Sequence, residues 1–403
     1  MSWLARLVSL DRLLDGASWL WRPQPFKEPE PAWSARLPGL ARRLLALDDK
    51  EVSALSDDPA PVQQWLAEAC PELAELTELA QVGPCSPGGA GWERDSRIEW
   101  GVPGRKQAQI EAFAAAVGKP EAELLEWCAG KGHLGRVMAH RWGRPVMSLE
   151  IDATLCAEGR ALASRARQPQ DFACVDVLSR AAQAEPRGHV LALHACGDLH
   201  RELVRRGSAS RLVALDLAPC CYHKLLAGGE YRSFNPGLAL RLTEADLRLA
   251  VTETVTAPAR EQREVARQMA WRLGFDAMRR AAGMAEYRPF KPVPRGWFGG
   301  SFEDFVTAMA MREGVPIPLP ADWTGWKAQG WARRHAVLRL GLVRHAFRRA
   351  LELWLVADMA AYLERAGYSV EVGTFCDRRL TPRNLLLSAR RRPTPGNSVP
   401  ENP

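Results

Sequence analysis

The sequence predicts an α/β fold in which a largely parallel sheet is covered by helices on both faces. Between about residues 108 and 221, short apolar segments alternate with helical patterns. Strands that alternate with helices form right-handed crossovers within a parallel sheet. Near the C-terminus one helix is followed by two strands and an intervening turn. That order is typical of an antiparallel hairpin at the end of such a sheet.

The elements of the predicted sheet follow one another in a regular order. The first five strands are predicted in ELLEWCAG, PVMSLEID, DFACVDVLS, HVLALHACGD and RLVALDLAPCC. Helical spacing separates most of them, as in GRVMAHRWG, LCAEGRALASRA and LHRELVRRG. The helix ALELWLVADMAAYLERAG then leads into the strands YSVEVGTF and NLLLSAR, which are joined by the turn CDRRLTPR. We therefore expect a seven-stranded, Rossmann-like sheet.

The same patterns divide the chain into five consecutive segments. Leu, Trp and Ala at helical spacing, interrupted by Pro-rich joints, predict a helical N-terminal region, and a Pro-rich polar C-terminus predicts disorder. The expected segments are the helical region 1–95, the core 96–230 with strands one to five, a helical insertion or substrate lobe 231–340, the end of the core 341–392 with strands six and seven, and a disordered tail 393–403.

Composition limits the class of protein. The 403 residues are 47% hydrophobic and 25% charged, which is typical of a globular chain. No apolar run approaches the roughly 18 to 20 residues of a membrane span. Asp11 and Asp15 interrupt the N-terminal apolar stretch, so no signal peptide is expected. We expect a cytoplasmic protein without a membrane partner, and the sequence does not indicate its oligomeric state.

Charge and cysteine content add weaker indications. The formal net charge of +7 mildly favours an acidic partner such as RNA, although an Arg-rich solvated surface explains it equally well. The nine cysteines include no C-x-x-C pair, which favours reduced thiols over disulfides. His194, Cys196, Cys220 and Cys221 lack the spacing of a zinc site, so no metal is expected.

A glycine-rich loop follows the first strand and is compatible with two cofactors. Gly130, Gly132 and Gly135 satisfy G-x-G-x-x-G, and Glu150 follows about 20 positions later. Glycines of this kind let the backbone approach a ligand at a helix N-terminus, and the acid binds ribose hydroxyls. NAD and S-adenosylmethionine both meet this description.

The residues before and after the loop favour S-adenosylmethionine. Glu126 opens the pattern E-x-C-x-G-x-G, which resembles motif I of the S-adenosylmethionine methyltransferases, (D/E)-x-G-x-G-x-G. An acid beneath the loop suits a cofactor with an ammonium group and no phosphate. Asp176 and Val177 end the third strand, where those enzymes bind adenine. Cys128 replaces the first motif glycine, and we expect this to be tolerated only if φ is negative there.

A closer resemblance extends over about residues 96–230 and 340–392. The runs LEWCAGKGHLGRVMAHR, LHACGDL, APCCYHKL and LTPRNLLL resemble the methyltransferase module of the glutathione S-transferase C-terminal domain-containing protein and its methyltransferase-like relatives, which share A-G-K-G-x-L and C-C-Y-H. The resemblance implies S-adenosylmethionine as cofactor, with RNA (rRNA or tRNA) or protein as acceptor. The expected cofactor contacts are Glu126, Cys128, Gly130, Gly132, Glu150, Asp176, Val177 and His194.

Further polar residues follow the fourth and fifth strands, whose carboxyl ends border the ligand crevice in this fold. The expected catalytic residues are His194, Asp198, Tyr222 and His223. The expected substrate contacts are Cys220, Cys221 and Tyr222, with Arg105 and Lys106 from the preceding basic segment. A histidine or carboxylate supplies a base if the acceptor is protonated, and Tyr222 can stack on a flat acceptor. The alternatives are an N-capping Asp198 and a packed Cys220–His223 segment.

Aromatic and basic residues also interleave in YRPFKPVPRGWFGG and WTGWKAQGWARRHA. They predict either a platform for single-stranded RNA or, slightly favoured, a Trp-rich packed lobe. The sequence as a whole predicts a methyltransferase acting on RNA or, less favoured, on protein. A non-catalytic module of the same fold that binds S-adenosylmethionine or RNA, and an NAD-dependent oxidoreductase, stay open as alternatives.

Overall fold

The structure is a computed structural model that describes residues 1–86, 88, 95–120, 122–179, 185–210, 212–252, 259–284 and 286–393. The predicted disordered tail lies outside the described residues except for Pro393. The chain forms two compact units. One comprises Met1–Asp15, Glu78–Thr252 and Arg349–Pro403, and the other comprises Gly16–Thr77 and Glu253–Arg348. Each unit is discontinuous in sequence, unlike the five consecutive segments expected above.

Helices account for most of the regular structure. Within the described ranges the α-helices are α1 Trp3–Gly16, α2 Ser18–Trp21, α3 Ala32–Arg36, α4 Pro38–Leu45, α5 Asp49–Asp57, α6 Ala60–Ala69, α7 Leu76–Leu79, α8 Ser96–Glu99, α9 Gly104–Ala116, α10 His133–Trp142, α11 Ala153–Arg165, α12 Asp198–Ala209, α13 Glu244–Ala250, α14 Ala259–Ala281, α15 Phe302–Glu313, α16 Trp323–His345 and α17 Arg348–Arg365. None of the helices in these ranges combines the length and the apolar character that a bilayer crossing requires.

One seven-stranded sheet organises the first unit. Its strands are β1 Leu124–Trp127, β2 Val146–Glu150, β3 Gln170–Cys174, β4 Gly188–Cys196, β5 Leu212–Cys220, β6 Tyr368–Thr374 and β7 Leu385–Arg391. They lie in the order β3-β2-β1-β4-β5-β7-β6. Strands β1 to β5 pair in parallel, and β7 is antiparallel to both of its neighbours. The predicted α/β fold with an antiparallel C-terminal hairpin is confirmed.

The strand order determines where a ligand can lie. β1 and β4 are neighbours although two strands separate them in sequence, so the order reverses between them. In open α/β sheets such a reversal leaves a crevice outside the carboxyl ends of the strands. Residues that follow β1, β2, β4 and β5 therefore share one edge of the sheet.

Burial explains why the central strands β1 and β5 are apolar apart from Glu126 in β1 and Asp216 in β5. All four residues of β1 are buried, and so are all residues of β5 except Val213. A strand buried on both faces reads as a continuous apolar run, because helices cover the sheet from either side. On one side, Phe113 of α9 contacts Phe375 edge to face, with their ring centroids 5.8 Å apart.

The second unit has its own aromatic core. Trp271, Phe298 and Phe305 pack together with Trp326, and all four side chains are buried. Phe298 and Trp326 come from the two aromatic and basic segments singled out above. The packed-lobe interpretation is therefore correct for these two residues, which lie too deep to stack on bases. Trp331 differs, since it is 40% exposed.

Candidate active site

The loop after β1 turns through three left-handed residues. φ is +57° at Cys128, +59° at Gly130 and +61° at Gly132. A Cβ on Gly132 would lie 2.4 Å from Cζ of Phe172, so that glycine is required for packing. A Cβ on Gly130 would have no atom within 4 Å, so this part of the loop borders open space that a ligand can fill. The expectation of a negative φ at Cys128 is wrong.

Backbone strain is concentrated at this edge of the sheet. Besides Cys128, His194 has φ +70° and Cys221 has φ +45°. The three residues lie at or just beyond the ends of the neighbouring strands β1, β4 and β5. A left-handed conformation costs a residue with a Cβ roughly 1–2 kcal/mol, and such residues cluster at functional sites because the surrounding fold holds them in place.

Glu126 lies beneath the loop. Its side chain is 3% exposed, and Oε2 accepts hydrogen bonds from Ser148 Oγ at 2.7 Å and from Gln170 Nε2 at 3.4 Å. A Cβ on Gly135 would lie 2.5 Å from the same oxygen. Burial raises the pKa of Glu126 to about 7. The predicted direct cofactor contact is corrected, because this carboxyl group is directed into the sheet and positions the loop and α10.

Two further carboxylates follow β2 and β3. Glu150 Oε2 accepts a hydrogen bond from the backbone N–H of Gly130 at 2.8 Å, and its Oε1 accepts from Ile151 N–H at 2.9 Å. Glu150 therefore lies directly against the glycine loop. Asp176 is exposed and accepts a hydrogen bond from Leu178 N–H at 2.9 Å, whereas the side chain of Val177 is buried.

The electrostatics of the loop discriminate between the two cofactors. Burial first, and then the nearby Glu150, Cys196, Glu126 and Asp176, raise the pKa of the Cys128 thiol to about 12. Three predicted acids thus converge on one loop residue. Such surroundings favour a cofactor that carries sulfonium and ammonium groups and disfavour a pyrophosphate. The residues present suit S-adenosylmethionine better than NAD.

His194 is held by a residue of α9. Its Nε2 lies 3.0 Å from Gln109 Oε1, and Gln109 Nε2 donates a hydrogen bond to the carbonyl of Leu380 at 3.3 Å. Since the amide nitrogen already donates, Oε1 is the acceptor and His194 Nε2 carries the proton. Nδ1 of a neutral ring is then free to accept a proton.

The charge state of His194 suits that role. Its pKa is lowered from the usual 6.5, first by loss of water around the ring and then by the positive charges of Lys106 and Arg383. A lowered pKa favours the neutral ring, which is the form that can accept a proton. Lys106 was predicted as a contact at this site, whereas Gln109 and Arg383 were not. Gln109 lies in the quoted segment GVPGRKQAQIEAF, but a single glutamine carries no distinguishing pattern.

Arg105, the other predicted basic contact, shares a hydrogen-bond acceptor with Gln109. Its side chain is exposed, and its Nε donates a hydrogen bond to the carbonyl of Leu380 at 3.1 Å. Lys106 is half-buried. Of these two cations, Lys106 is the one that acts on His194.

The ends of β4 and β5 bring three thiols together. The Sγ atoms of Cys196, Cys220 and Cys221 all lie within 4.8 Å of one another, and Cys196 and Cys220 are 3.4 Å apart. Arg383 Nη1 lies 3.4 Å from Cys221 Sγ and donates a hydrogen bond to it. The cysteines were singled out in the sequence, but their convergence was not expected from their spacing.

Tyr222 does not reach the crevice. Its side chain is 1% exposed, and its ring packs edge to face on His200 with centroids 5.4 Å apart. The prediction that Tyr222 stacks on an acceptor is therefore wrong, because the ring lies in the interior. His223 is half-buried, and burial together with nearby Arg248 lowers its pKa.

Asp198 is the first residue of α12, whose N-cap is Gly197. Its Oδ1 forms an ion pair with Arg201 Nε at 3.2 Å, and Arg201 Nη2 donates a hydrogen bond to the carbonyl of Arg232 at 2.6 Å. Asp198 is thus not the N-cap of α12. Of the four expected catalytic residues, His194 is the one whose geometry suits a base.

Together the sheet order, the glycine loop, Glu126 within β1 and the acids at the carboxyl ends of β2 and β3 are the features of a class I S-adenosylmethionine-dependent methyltransferase. A family model described as a methyltransferase domain, Methyltransf_32, matches residues 105–228. These residues span α9, the glycine loop and the Cys220–His223 segment. The matched segment is thus similar to a methyltransferase domain, and the chain is a methyltransferase whose cofactor is S-adenosylmethionine.

Several solved structures resemble the chain distantly. Magnesium protoporphyrin IX methyltransferase from Synechocystis PCC 6803 with bound SAH is 12% identical over 75% of this chain and 90% of its own, with a TM-score of 0.31. Coclaurine N-methyltransferase bound to N-methylheliamine and SAH is 12% identical over 74% and 94%, with a TM-score of 0.26. The 23S rRNA methyltransferase ErmE is 16% identical over 62% and 99%, with a TM-score of 0.24. Likenesses this distant do not identify the acceptor.

Proposed function

We propose that this methyltransferase acts on RNA and that His194 is its general base. One observation carries the proposal: His194, whose Nε2 lies 3.0 Å from Gln109 Oε1, has two cations near it. These are the half-buried Lys106, on the same helix as Gln109, and Arg383, whose Nη1 is 3.4 Å from Cys221 Sγ. A phosphate-bearing acceptor would place its negative charge beside them. The formal net charge of +7 is consistent with such an acceptor.

The cofactor-side residues have distinct roles in this proposal. Bound S-adenosylmethionine supplies an electrophilic methyl group on a sulfonium centre. Glu150 accepts hydrogen bonds from the ribose hydroxyls and Asp176 from the adenine amino group. Glu126 keeps the glycine loop in position through its hydrogen bonds with Ser148 and Gln170.

On the acceptor side, alignment contributes most, because methyl transfer is an in-line displacement. His194 Nδ1 accepts the proton of an acceptor N–H or O–H, and Gln109 keeps the ring in the required tautomer. Lys106 and Arg383 contact the acceptor's phosphates. Such contacts position a nucleic acid without reading its sequence, and they make binding depend on salt.

The proposal is tested with methyl-labelled S-adenosylmethionine and RNA or protein from cells that lack this chain. We expect label in the RNA fraction, loss of labelling on RNase treatment, and a rate that falls with ionic strength. His194→Gln should abolish labelling and keep cofactor affinity. Label confined to protein would overturn the RNA assignment. Cofactor binding without transfer to either fraction would instead support a non-catalytic module.

A further inference from the structure

The three thiols at the ends of β4 and β5 converge because of two backbone irregularities. Cys196 and Cys220 are register partners on neighbouring parallel strands, and β4 has an irregularity between Leu193 and Cys196. Consecutive residues of a regular strand point to opposite faces, so Cys220 and Cys221 would normally diverge. The left-handed φ of +45° at Cys221 instead brings its sulfur towards that of Cys220.

The spacing of the sulfur atoms matches a thiolate metal site. Three thiolates around Zn²⁺ at about 2.3 Å, with tetrahedral angles, lie roughly 3.8 Å from one another. Here one separation is 3.4 Å and all three are at most 4.8 Å. Shifts of about 1 Å or less, within the reach of side-chain rotation, would complete the geometry.

The surroundings also suit a metal–thiolate group. Three thiolates and one Zn²⁺ carry a net charge of −1, which a neighbouring cation stabilises. Arg383 supplies that cation and donates an N–H group to Cys221 Sγ at 3.4 Å. Donors outside the ligand shell commonly orient metal ligands and tune their basicity in this way.

We propose that Cys196, Cys220 and Cys221 bind one Zn²⁺ through three thiolates and leave a fourth position for water or an acceptor atom. Within the described part of the chain the group of mutually close ligand atoms consists of these three residues. Three protein ligands and an open position are the arrangement of catalytic rather than structural zinc. The site does not depend on the identity of the acceptor.

The test uses the full chain, purified under reducing conditions, equilibrated with Zn²⁺ and desalted. We expect about one zinc per chain by elemental analysis. The zinc X-ray absorption spectrum should show three sulfur neighbours at about 2.3 Å and one lighter neighbour. Cys221 is half-buried, so Cys221→Ser should disturb the fold little. In this variant the number of sulfur neighbours of zinc should fall from three to two.

Two further variants separate metal loss from unfolding. The triple variant Cys196→Ser/Cys220→Ser/Cys221→Ser should lose zinc, whereas Cys70→Ser, at a buried thiol of the other compact unit, should keep it. Circular dichroism and calorimetric S-adenosylmethionine binding should show that the variants are folded. Three results would each overturn the proposal. The wild-type chain could bind no zinc, the folded triple variant could retain zinc, or a Cys196–Cys220 disulfide could persist in protein kept under reducing conditions. None of these results bears on whether RNA is methylated.

Discussion

His194 at the end of β4 and Gln109 on α9 are joined by a 3.0 Å hydrogen bond between Nε2 and Oε1, across 85 positions of sequence. The bond fixes the tautomer of the ring, because the Gln109 amide nitrogen donates to the carbonyl of Leu380. It also connects the basic segment before β1 to the strand that carries the proposed base. The orientation of His194 therefore depends on a helix that precedes the sheet in sequence.

The first prediction concerns this bond. Gln109→Leu removes the acceptor, so the ring can rotate and adopt the wrong tautomer. We expect kcat to fall roughly 10- to 100-fold, the scale of a misplaced reacting group, with nearly unchanged S-adenosylmethionine affinity. Gln107→Leu is the matched control on the same helix, since Gln107 bonds Glu111 instead. Equal rates for the two variants would show that the bond has no catalytic role.

The second prediction is a pH dependence. A base must be deprotonated, so kcat should rise with pH through the pKa of His194, which lies below 6.5. Lys106→Gln removes a nearby positive charge and so favours the imidazolium. The pKa should then increase and the acid limb of the pH–rate profile should move to higher pH. A limb that stays in place, or moves to lower pH, would exclude His194 as the titrating group.

A third prediction follows from the burial of Glu126, whose pKa is raised from 4.5 to about 7. Between these values the folded chain binds more protons than the unfolded chain, so this group makes stability fall as pH rises. Glu126→Gln should remove that component and weaken the decrease by on the order of 1–3 kcal/mol between pH 4.5 and 8. Urea denaturation across this range provides the measurement. Glu123→Gln is the control, because Glu123 is exposed and directly precedes β1. This variant should show the same dependence of unfolding free energy on pH as the wild type.

Much of the fold follows from sequence because its cause is local. Apolar runs that alternate with helical spacing specify five parallel strands, and parallel strands place their carboxyl ends on one edge. Glu126 within β1 and the acids at the ends of β2 and β3 were therefore expected to converge. Glu150 does reach the loop after β1, because its Oε2 accepts a hydrogen bond from Gly130 N–H at 2.8 Å.

The remaining features depend on contacts between distant segments. Arg383 reaches Cys221 across 162 positions, and no pattern near either residue indicates the pairing. Tyr222 was expected in the crevice, but the turn at Cys221 directs its ring inward against His200. The left-handed conformation of Cys128 was also unexpected, because the sequence does not show at which residues the tertiary structure stabilises a positive φ.

The fourth prediction concerns that strain. Cys128→Gly relieves the cost of φ +57° but increases the entropy of the unfolded chain, so the two effects nearly cancel. We expect stability within about 1 kcal/mol of wild type and unchanged cofactor affinity. Cys128→Val places a β-branched side chain at the same φ and should destabilise by roughly 2 kcal/mol or more. Urea denaturation of both variants makes the comparison. If valine is tolerated as well as glycine, the loop does not keep this conformation in solution.

The last prediction concerns Glu150, which bonds the loop and, in our proposal, the ribose. Its Oε2 accepts from Gly130 N–H at 2.8 Å, and a bound ribose would compete for this carboxylate. Glu150→Ala should therefore weaken S-adenosylmethionine binding by about 1.5–3 kcal/mol, or roughly 10- to 150-fold, in a calorimetric titration. Glu150→Gln keeps an acceptor for Gly130 but loses the charge, so its loss should be smaller. Glu158→Ala is the control, because Glu158 pairs with Lys131 of the same loop at the surface. If Glu150→Ala and Glu158→Ala bind S-adenosylmethionine equally tightly, the Glu150 carboxylate stabilises only the cofactor-free loop. The ribose contact must then come from another residue.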